Sequence, residues 1–189
     1  MYNLGMYLSL PVINFVLAIG GLGLTLITVI LLVDYFFHGG RYFGEKIRPF
    51  LWPLIVSTTV GSVVISLIYS EYFGFIPCSL CWLQRIAIYP QALLALIAWR
   101  KKDSTHFPLY GIGLSLFGLV VAKYQYIYQM LPAETRESGI APCLVDGSGA
   151  DCAVKVIDLF GFVTFPFLSA VTFAFLITLY LYLRRPPSF

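Results

Sequence analysis

The chain of 189 residues is 59% hydrophobic and 11% charged, whereas a soluble domain is typically about 45–50% apolar and about 25% charged. A chain of this length cannot bury so much apolar surface in one water-surrounded core, so the composition excludes a soluble monomer, a disordered chain and a coiled coil. The net charge of +3, from 12 basic and 9 acidic residues, is too small and too scattered for a nucleic-acid-binding protein. The composition therefore indicates a membrane protein.

Five apolar segments are long enough to cross a bilayer, because a membrane-spanning helix needs about 20 predominantly apolar residues. In chain order they cover residues 12–33, 49–70, 73–99, 107–131 and 159–183. The third is interrupted only by Arg85 and the fourth only by Lys123. The strict alternation of a membrane β-barrel is absent from the sequence. We therefore predict an all-α integral membrane bundle with five transmembrane helices.

Basic residues gather on one side of this predicted topology. They follow the first, third and fifth segments: Arg41, Lys46, Arg48, Arg100, Lys101, Lys102, Arg184 and Arg185. The positive-inside rule makes that side cytoplasmic, so we expect an outside N-terminus, a cytoplasmic C-terminus and an outer loop over residues 132–155. The first segment lacks a basic n-region and a small-residue cleavage site, and we expect it to be retained as a helix rather than cleaved as a signal peptide.

Small residues spaced four apart predict close contacts between helices in the bundle. They form three pairs: Ser57 with Gly61, Ser62 with Ser66, and Gly111 with Ser115.

All four cysteines fall on the predicted outer side. Cys78 and Cys81 form a Cys-x-x-Cys pair at the mouth of the third helix, and Cys143 and Cys152 lie in the outer loop. An even number of cysteines on the oxidising side of a membrane favours disulfides. Pro77 favours a helix start at the first pair, where free backbone N–H groups and the helix dipole stabilise a thiolate.

Arg85 lies one helical turn beyond Cys81 and inside a predicted span. An arginine at that depth is costly unless a thiolate or an electron-rich ligand compensates its charge, so it is a candidate functional residue. The alternative is a side chain that snorkels back to the interface.

The sequence leaves more than one interpretation of the cysteines open. The loop pair can be a structural staple, or it can carry a disulfide to a soluble partner. Zinc is disfavoured by the spacing of the loop pair and by the position of His38 and His106 on the predicted cytoplasmic side, so no metal is predicted. Two thiol pairs can exchange two electrons but require an electron sink, and a lipid-soluble quinone fits that location.

The sequence resembles the DsbB family, the disulfide bond formation proteins of bacterial membranes. The resemblance is carried by Ile76-Pro77-Cys78-Ser79-Leu80-Cys81-Trp82-Leu83-Gln84-Arg85, by Tyr89-Pro90, and by Cys152 with Phe160-Gly161-Phe162 and Phe165-Pro166-Phe167-Leu168-Ser169. The last group is especially similar to the BdbC-like branch in Gram-positive bacteria. The resemblance implies a four-helix catalytic domain over residues 51–185, preceded by an extra transmembrane helix over residues 1–35.

The resemblance also implies roles for individual residues in a membrane thiol oxidase. Cys81 corresponds to the cysteine whose thiolate forms a charge-transfer complex with quinone, and Cys78 is its disulfide partner. Cys143 corresponds to the cysteine that forms a mixed disulfide with a DsbA-like thioredoxin-fold protein, and Cys152 to the one that attacks Cys78. Arg85 supports the quinone and the thiolate. Electrons then pass from the DsbA-like partner to ubiquinone or menaquinone in the bacterial cytoplasmic membrane.

The sequence departs from the family pattern in two places. The first is the extra N-terminal helix, whose role the resemblance does not indicate. The second is a histidine that many relatives carry near the outer end of the fourth span, where Gln125 stands here. Gln125 can donate a hydrogen bond to a quinone oxygen, and Lys123 can supply a positive charge, although outward snorkelling is the favoured interpretation of Lys123. Both are candidate quinone-binding residues beside Arg85 and Cys81.

Two rival functions are compatible with much of this pattern. A vitamin K epoxide reductase-like enzyme uses related chemistry, but its loop cysteines precede the Cys-x-x-Cys pair, whereas here they follow it. A non-enzymatic membrane scaffold with two structural disulfides predicts cysteines that do not respond to quinone.

Overall fold

The computed structural model describes residues 4–132 and 151–185 of the chain. Within these residues, five helices are long and apolar enough to cross a membrane, which confirms the predicted helical bundle. The helices are α1 (Leu4–Phe37), α2 (Arg41–Ile47), α3 (Leu51–Leu67), α4 (Ser79–Lys101), α5 (Phe107–Met130) and α6 (Phe165–Arg184). A 3₁₀ turn (Arg48–Phe50) leads into α3, and a π-helical turn (Ile68–Tyr72) ends it. Strands β1 (Asp158–Leu159) and β2 (Val163–Thr164) form an antiparallel hairpin.

Two transmembrane helices begin later than the apolar pattern predicted. Helix α4 begins at Ser79 rather than near residue 73, because Gly74 takes a left-handed φ of 72° and Cys78 has extended backbone. Helix α6 begins at Phe165 rather than near residue 159, because Phe160 and Gly161 take φ values of 56° and 75° and turn the chain into the β1–β2 hairpin. Hydrophobicity alone does not mark either boundary.

Helices α3 to α6 form a closed ring. Helix α4 packs between α3 and α5, α5 packs against α6, and α6 returns to α3. Polar side chains hold the middle of the ring together around Gln91, which is fully buried. Its Oε1 accepts hydrogen bonds from Ser115 Oγ at 3.0 Å and from Tyr180 Oη at 2.9 Å, which join α4, α5 and α6. Such hydrogen bonds link helices in lipid, where burial of apolar side chains gives little preference for one helix contact over another.

The small residues of α5 pack as the sequence predicted. A Cβ atom placed on Gly111 would lie 2.6 Å from the ring of Tyr180, and Ser115 bonds Gln91, so α5 and α6 approach closely at this level. On α3 the expectation holds only at Ser66, whose Oγ accepts a hydrogen bond from Tyr89 Oη of α4 at 3.4 Å, and it is wrong for the Ser57–Gly61 pair. A Cβ atom on Gly61 would meet nothing within 4 Å, and Ser57, Gly61, Ser62 and Ser66 all line a cavity. The reason is that α1 packs against α6 and leaves this face of α3 open.

Gly118→Val is expected to lower the free energy of unfolding by about 1–3 kcal/mol, the usual cost of overpacking a tight contact. A Cβ atom at Gly118 would lie 2.3 Å from Phe173 Cζ. The matched control is Gly113→Val in the same helix, where an added Cβ meets nothing within 4 Å. Thermal unfolding in detergent measures both variants, and equal melting temperatures would contradict the packing described for α5 and α6.

Helix α1 lies outside the ring and is fastened to the rest of the bundle by hydrogen bonds at Asp34, near its end, and at Asn14, about a third of the way along it. The end of the bundle at which α4 begins, at Ser79, is called the cysteine end. The opposite end, at which α4 stops at Lys101, is called the far end. At the far end, the buried Asp34 carboxylate accepts hydrogen bonds from Tyr182 Oη at 2.8 Å and from the backbone N–H groups of Tyr42 and Phe43, which begin α2. At the cysteine end, Asn14 accepts a hydrogen bond from Tyr69 Oη and donates one to the backbone oxygen of Val156 at 3.3 Å.

Candidate active site

The first cysteine pair lies at the N-terminus of α4. Cys78 is the residue that caps the helix, and its Sγ accepts a hydrogen bond from the backbone N–H of Cys81 at 3.4 Å. Both cysteines are thiols, and their sulfur atoms lie 2.7 Å apart. Since a disulfide bond is about 2.05 Å long, the pair can close with a movement of less than about 1 Å. The helix start therefore holds a dithiol that is preorganised for oxidation.

The two thiols are inequivalent. Cys78 is 4% exposed, whereas Cys81 is only partly buried. The hydrogen bond to Cys81 and burial both raise the pKa of the Cys78 thiol far above its usual range. Cys78 therefore stays protonated, and its S–H can donate a hydrogen bond to Cys81 Sγ. Cys81, which lines the cavity, is the sulfur presented to a ligand.

Two glutamines continue the hydrogen-bond network of the dithiol. Gln125 Nε2 on α5 donates to Cys78 Sγ at 3.4 Å and to Cys81 Sγ at 3.5 Å. Its Oε1 in turn accepts a hydrogen bond from Gln84 Nε2 on α4 at 2.7 Å, which fixes the orientation of the amide. Amide donors that face sulfur favour its electron-rich form, so this network suits a pair that cycles between thiolate and disulfide.

Arg85 lies one turn beyond Cys81 and points towards α3. Its guanidinium donates a hydrogen bond to the backbone oxygen of Ser66 at 3.0 Å and lies over the rings of Trp82 and Tyr89, at 5.2 and 5.9 Å from their centroids. None of the ion pairs among residues 4–132 and 151–185 includes Arg85. A positive charge held by a carbonyl and two aromatic faces is left to attract an anion or a polarised oxygen in the adjacent cavity.

Cys152 from the second pair is packed against the start of α4. It is 1% exposed, and its Sγ lies 3.7 Å from Ser79 Oγ, the residue after Cys78. It is disulfide-bonded, unlike Cys78 and Cys81, and its partner lies outside the described residues. Gln129 on α5 fastens this segment by donating hydrogen bonds to the backbone oxygens of Cys152 and Val154, at 3.1 and 3.2 Å.

A cavity of about 560 Å³ extends from the dithiol into the bundle. Its walls come from α1, α3, α4, α5 and α6, and Cys81, Gln84, Arg85, Gln125 and Gln129 all line it. This volume is in the usual range for a bound organic molecule, about 300–1,000 Å³. Gln129 is buried, and its Oε1 has no hydrogen-bond partner among the described residues. The site thus combines an apolar chamber, a dithiol, one positive charge and an unpaired acceptor.

The structure brings together most of the residues that the sequence singled out. Cys78, Cys81, Arg85 and Gln125 meet at the cysteine end of the bundle, and Cys152 packs beside them. Lys123 is exposed and is not among the residues that line the cavity. Cys143 and most of the predicted outer loop lie outside the described residues.

Gln84 was not recognised as a site residue from the sequence, although it stands within the Cys-x-x-Cys-x-x-x-Arg motif. The available signal was its position beside Arg85 in an otherwise apolar span, since a buried amide in lipid requires a partner. The orienting role of Gln129 was missed for a different reason. It depends on the path of the chain after Cys152, which no local pattern reveals.

Comparison with known proteins identifies the family of this site. The family model of the disulfide bond formation protein DsbB matches residues 48–183. The chain belongs to the DsbB family. The resemblance inferred from the cysteine motif is thereby confirmed, and of the two families weighed from the sequence the match is to DsbB.

Individual DsbB-family relatives agree with this assignment. A probable disulfide formation protein of Oceanobacillus iheyensis is 36% identical over 142 residues, covering 75% of this chain and 91% of the relative. The probable disulfide formation protein C 2 of Bacillus anthracis is 37% identical over 136 residues, covering 71% and 91%. The disulfide bond formation protein C of Bacillus subtilis is 38% identical over 126 residues, covering 67% and 83%. No solved structure gives a significant match to the chain.

The DsbB match assigns the broad function and leaves one part of the bundle unassigned. As a DsbB-family member, the chain is a multi-pass, disulfide-forming membrane protein. The match begins at residue 48, so it covers α3 to α6 and stops short of α1. Helix α1 nevertheless contributes to the cavity beside the dithiol.

Proposed function

We propose that the protein is a thiol oxidase that re-oxidises a DsbA-like thioredoxin-fold protein and passes the electrons to a membrane quinone. The observation that carries this proposal is the position of the Cys78–Cys81 dithiol, because Cys81 lines a cavity whose walls come from membrane-spanning helices. Val16 of α1 and Ile76, just before α4, both line the cavity and are 62% and 67% exposed, so the cavity reaches the apolar surface of the bundle. A lipid-soluble acceptor can therefore reach Cys81 without crossing water.

The residues around the cavity suit a quinone. A bound quinone supplies a two-electron acceptor at the membrane edge. Arg85 provides a positive charge and N–H donors for a carbonyl oxygen, and the unpaired Oε1 of Gln129 provides an acceptor for a hydroxyl. Gln125 donates hydrogen bonds to the sulfur atoms of Cys78 and Cys81, and it remains a candidate for direct contact with the quinone. The volume and the mainly apolar walls suit ubiquinone or menaquinone equally.

The proposed electron path uses two exchanges and one oxidation. A partner dithiol reduces a Cys143–Cys152 disulfide and is itself oxidised, so one disulfide is lost and one is formed. The loop dithiol then reduces a Cys78–Cys81 disulfide, with Cys152 attacking Cys78. The short distance between Cys152 and Ser79 supports that step. Finally Cys78 and Cys81 give up two electrons and two protons as their disulfide reforms, and the acceptor gains both.

The proposed function also implies how the bundle is oriented in the membrane. The cysteine end faces the outer side of the bacterial cytoplasmic membrane, where disulfides persist, and the basic far end faces the cytoplasm. In this orientation the N-terminus is outside and the C-terminus is cytoplasmic. The four-helix unit over residues 51–185 then carries the chemistry.

The test is quinone reduction by the purified protein, followed in the ultraviolet, with a reduced DsbA-like protein as electron donor. We expect quinone to be consumed in step with the loss of donor thiols, one quinone for two thiols. A scaffold with structural disulfides gives no reduction of ubiquinone or menaquinone even though its cysteines pair. That outcome would overturn the proposal.

A further inference from the structure

We propose that α1, which lies outside the family match, completes the quinone cavity and forms one wall of a slot for the isoprenoid tail. This inference rests on the proposed function and concerns how the acceptor is held. The opposite wall is the small-residue face of α3. The tail would leave Cys81 and Arg85 and run between the two helices towards the lipid.

The shape of the cavity indicates a ligand longer than a ring. On α3 it extends from Ser66, beside Arg85, to Ser57, a distance of about 14 Å at 1.5 Å per residue. On α1 it extends from Val16 to Leu24. The polar groups that suit a quinone head are confined to the cysteine end, whereas the remainder is lined mainly by apolar and small residues. A ring with an apolar tail matches this division.

Glycines on both walls keep the slot open. Cβ atoms placed on Gly20 of α1 and on Gly61 of α3 would each meet nothing within 4 Å, although both residues line the cavity. Gly20 is also exposed on the membrane-facing surface, so the cavity reaches the lipid beside it. Close packing of α1 and α3 would have filled this space.

Contacts elsewhere hold α1 at the distance that the slot requires. Gly21 packs against α6, where an added Cβ would lie 2.1 Å from Leu168 Cδ2. Asn14 and Asp34 fasten the helix to Tyr69 and Tyr182. Helix α1 therefore packs on α6 at two levels, at Gly21 and at Asp34, and bonds the end of α3 through Asn14, while its Gly20 side faces the cavity.

The second observation that points to a ligand is at the head of the same cavity. Gln129 is 4% exposed and lines the cavity, and its Oε1 lacks a hydrogen-bond partner among the described residues. A buried acceptor of this kind is costly unless a bound group satisfies it. The slot therefore continues from a site that is itself incomplete without a ligand.

The experiment compares quinones that share a head and differ in the tail. The probes are menadione, which has no tail, and menaquinone-4, or ubiquinone-0 and decylubiquinone if the wild-type protein prefers benzoquinones. In Gly20→Leu the added side chain occupies the slot, and we expect the KM for the tailed quinone to rise about tenfold while the KM for the tail-less quinone changes less than about twofold. Gly61→Leu, which narrows the slot from α3, should give the same selective change.

The matched control is Gly23→Leu, also in α1. Gly23 is exposed and has nothing within 4 Å of an added Cβ, but it does not line the cavity, so both KM values should stay as in the wild type. An unchanged KM for the tailed quinone in Gly20→Leu and Gly61→Leu would overturn the inference. The slot would then hold a lipid acyl chain rather than the quinone tail. Equal losses with both quinones would overturn it as well, because the head site would then be affected. Failure of the proposed function is a separate result, since the wild-type protein would reduce neither quinone.

Discussion

Cys81→Ser is expected to reduce quinone turnover by at least about 1,000-fold, the scale of loss when the residue that forms a covalent or redox bond is removed. Cys81 is the sulfur that lines the cavity, and its partner Cys78 is buried and holds its proton. Serine keeps the size of the side chain and the helix start but cannot form a disulfide. The measurement is quinone reduction in the ultraviolet with a reduced thioredoxin-fold donor.

The same variant should leave the second cysteine pair intact. Cys152 is disulfide-bonded apart from Cys78 and Cys81, and Gln129 holds its backbone from α5. Alkylation of free thiols, read by mass spectrometry before and after reduction, should therefore find the Cys152 bridge still formed in Cys81→Ser. Turnover equal to the wild type in this variant would mean that electrons leave by a route that does not use Cys81.

Arg85→Met is expected to raise the KM for quinone about 10- to 100-fold, because a hydrogen bond from a charged group contributes about 1.5–3 kcal/mol. Methionine keeps much of the packing against Trp82 and Tyr89 and removes the charge and the N–H donors. Steady-state kinetics with one quinone over a range of concentrations separates KM from kcat.

Two controls distinguish a binding role from a general effect of charge. Arg100→Met removes the same charge from the exposed far end of α4 and should leave KM unchanged. Arg85→Lys keeps the charge without the planar pair of donors and should fall between the wild type and Arg85→Met. If Arg85→Met leaves KM unchanged, Arg85 is a residue that only snorkels and packs against its aromatic neighbours.

The sequence predicted the bundle well because the signal for each span is local. Five predominantly apolar segments of adequate length become five helices, since lipid offers the backbone few other ways to satisfy its hydrogen bonds. The two late helix starts were missed because the hydrophobicity of residues 73–78 and 159–164 resembles that of a span. The left-handed residues Gly74 and Gly161, which break the pattern, are visible as glycines but not as conformations.

The site was predictable only in part for the same reason. The Cys-x-x-Cys motif and Arg85 are neighbours in sequence, and one helix start brings them together. Gln125 could be assigned to the site by comparison with the family, but its partner Gln84 became evident only when α4 and α5 were placed side by side. The face of α3 illustrates the limit most clearly. Small residues at a spacing of four indicate that something approaches closely, and they do not specify whether it is a helix or a ligand.

The seating of α1 on α6 has a consequence for how the protein is made. Asp34 and Tyr182 are separated by 148 positions in the chain, so α1 is synthesised well before the helix against which it packs. Nascent chains gain structure from the N-terminus, yet α1 lacks its contacts with α6 until α6 has been made. Its Asp34 must meanwhile be accommodated without the Tyr182 hydroxyl. The contacts that hold the α1 wall against α6 can thus form only after α6 has been synthesised.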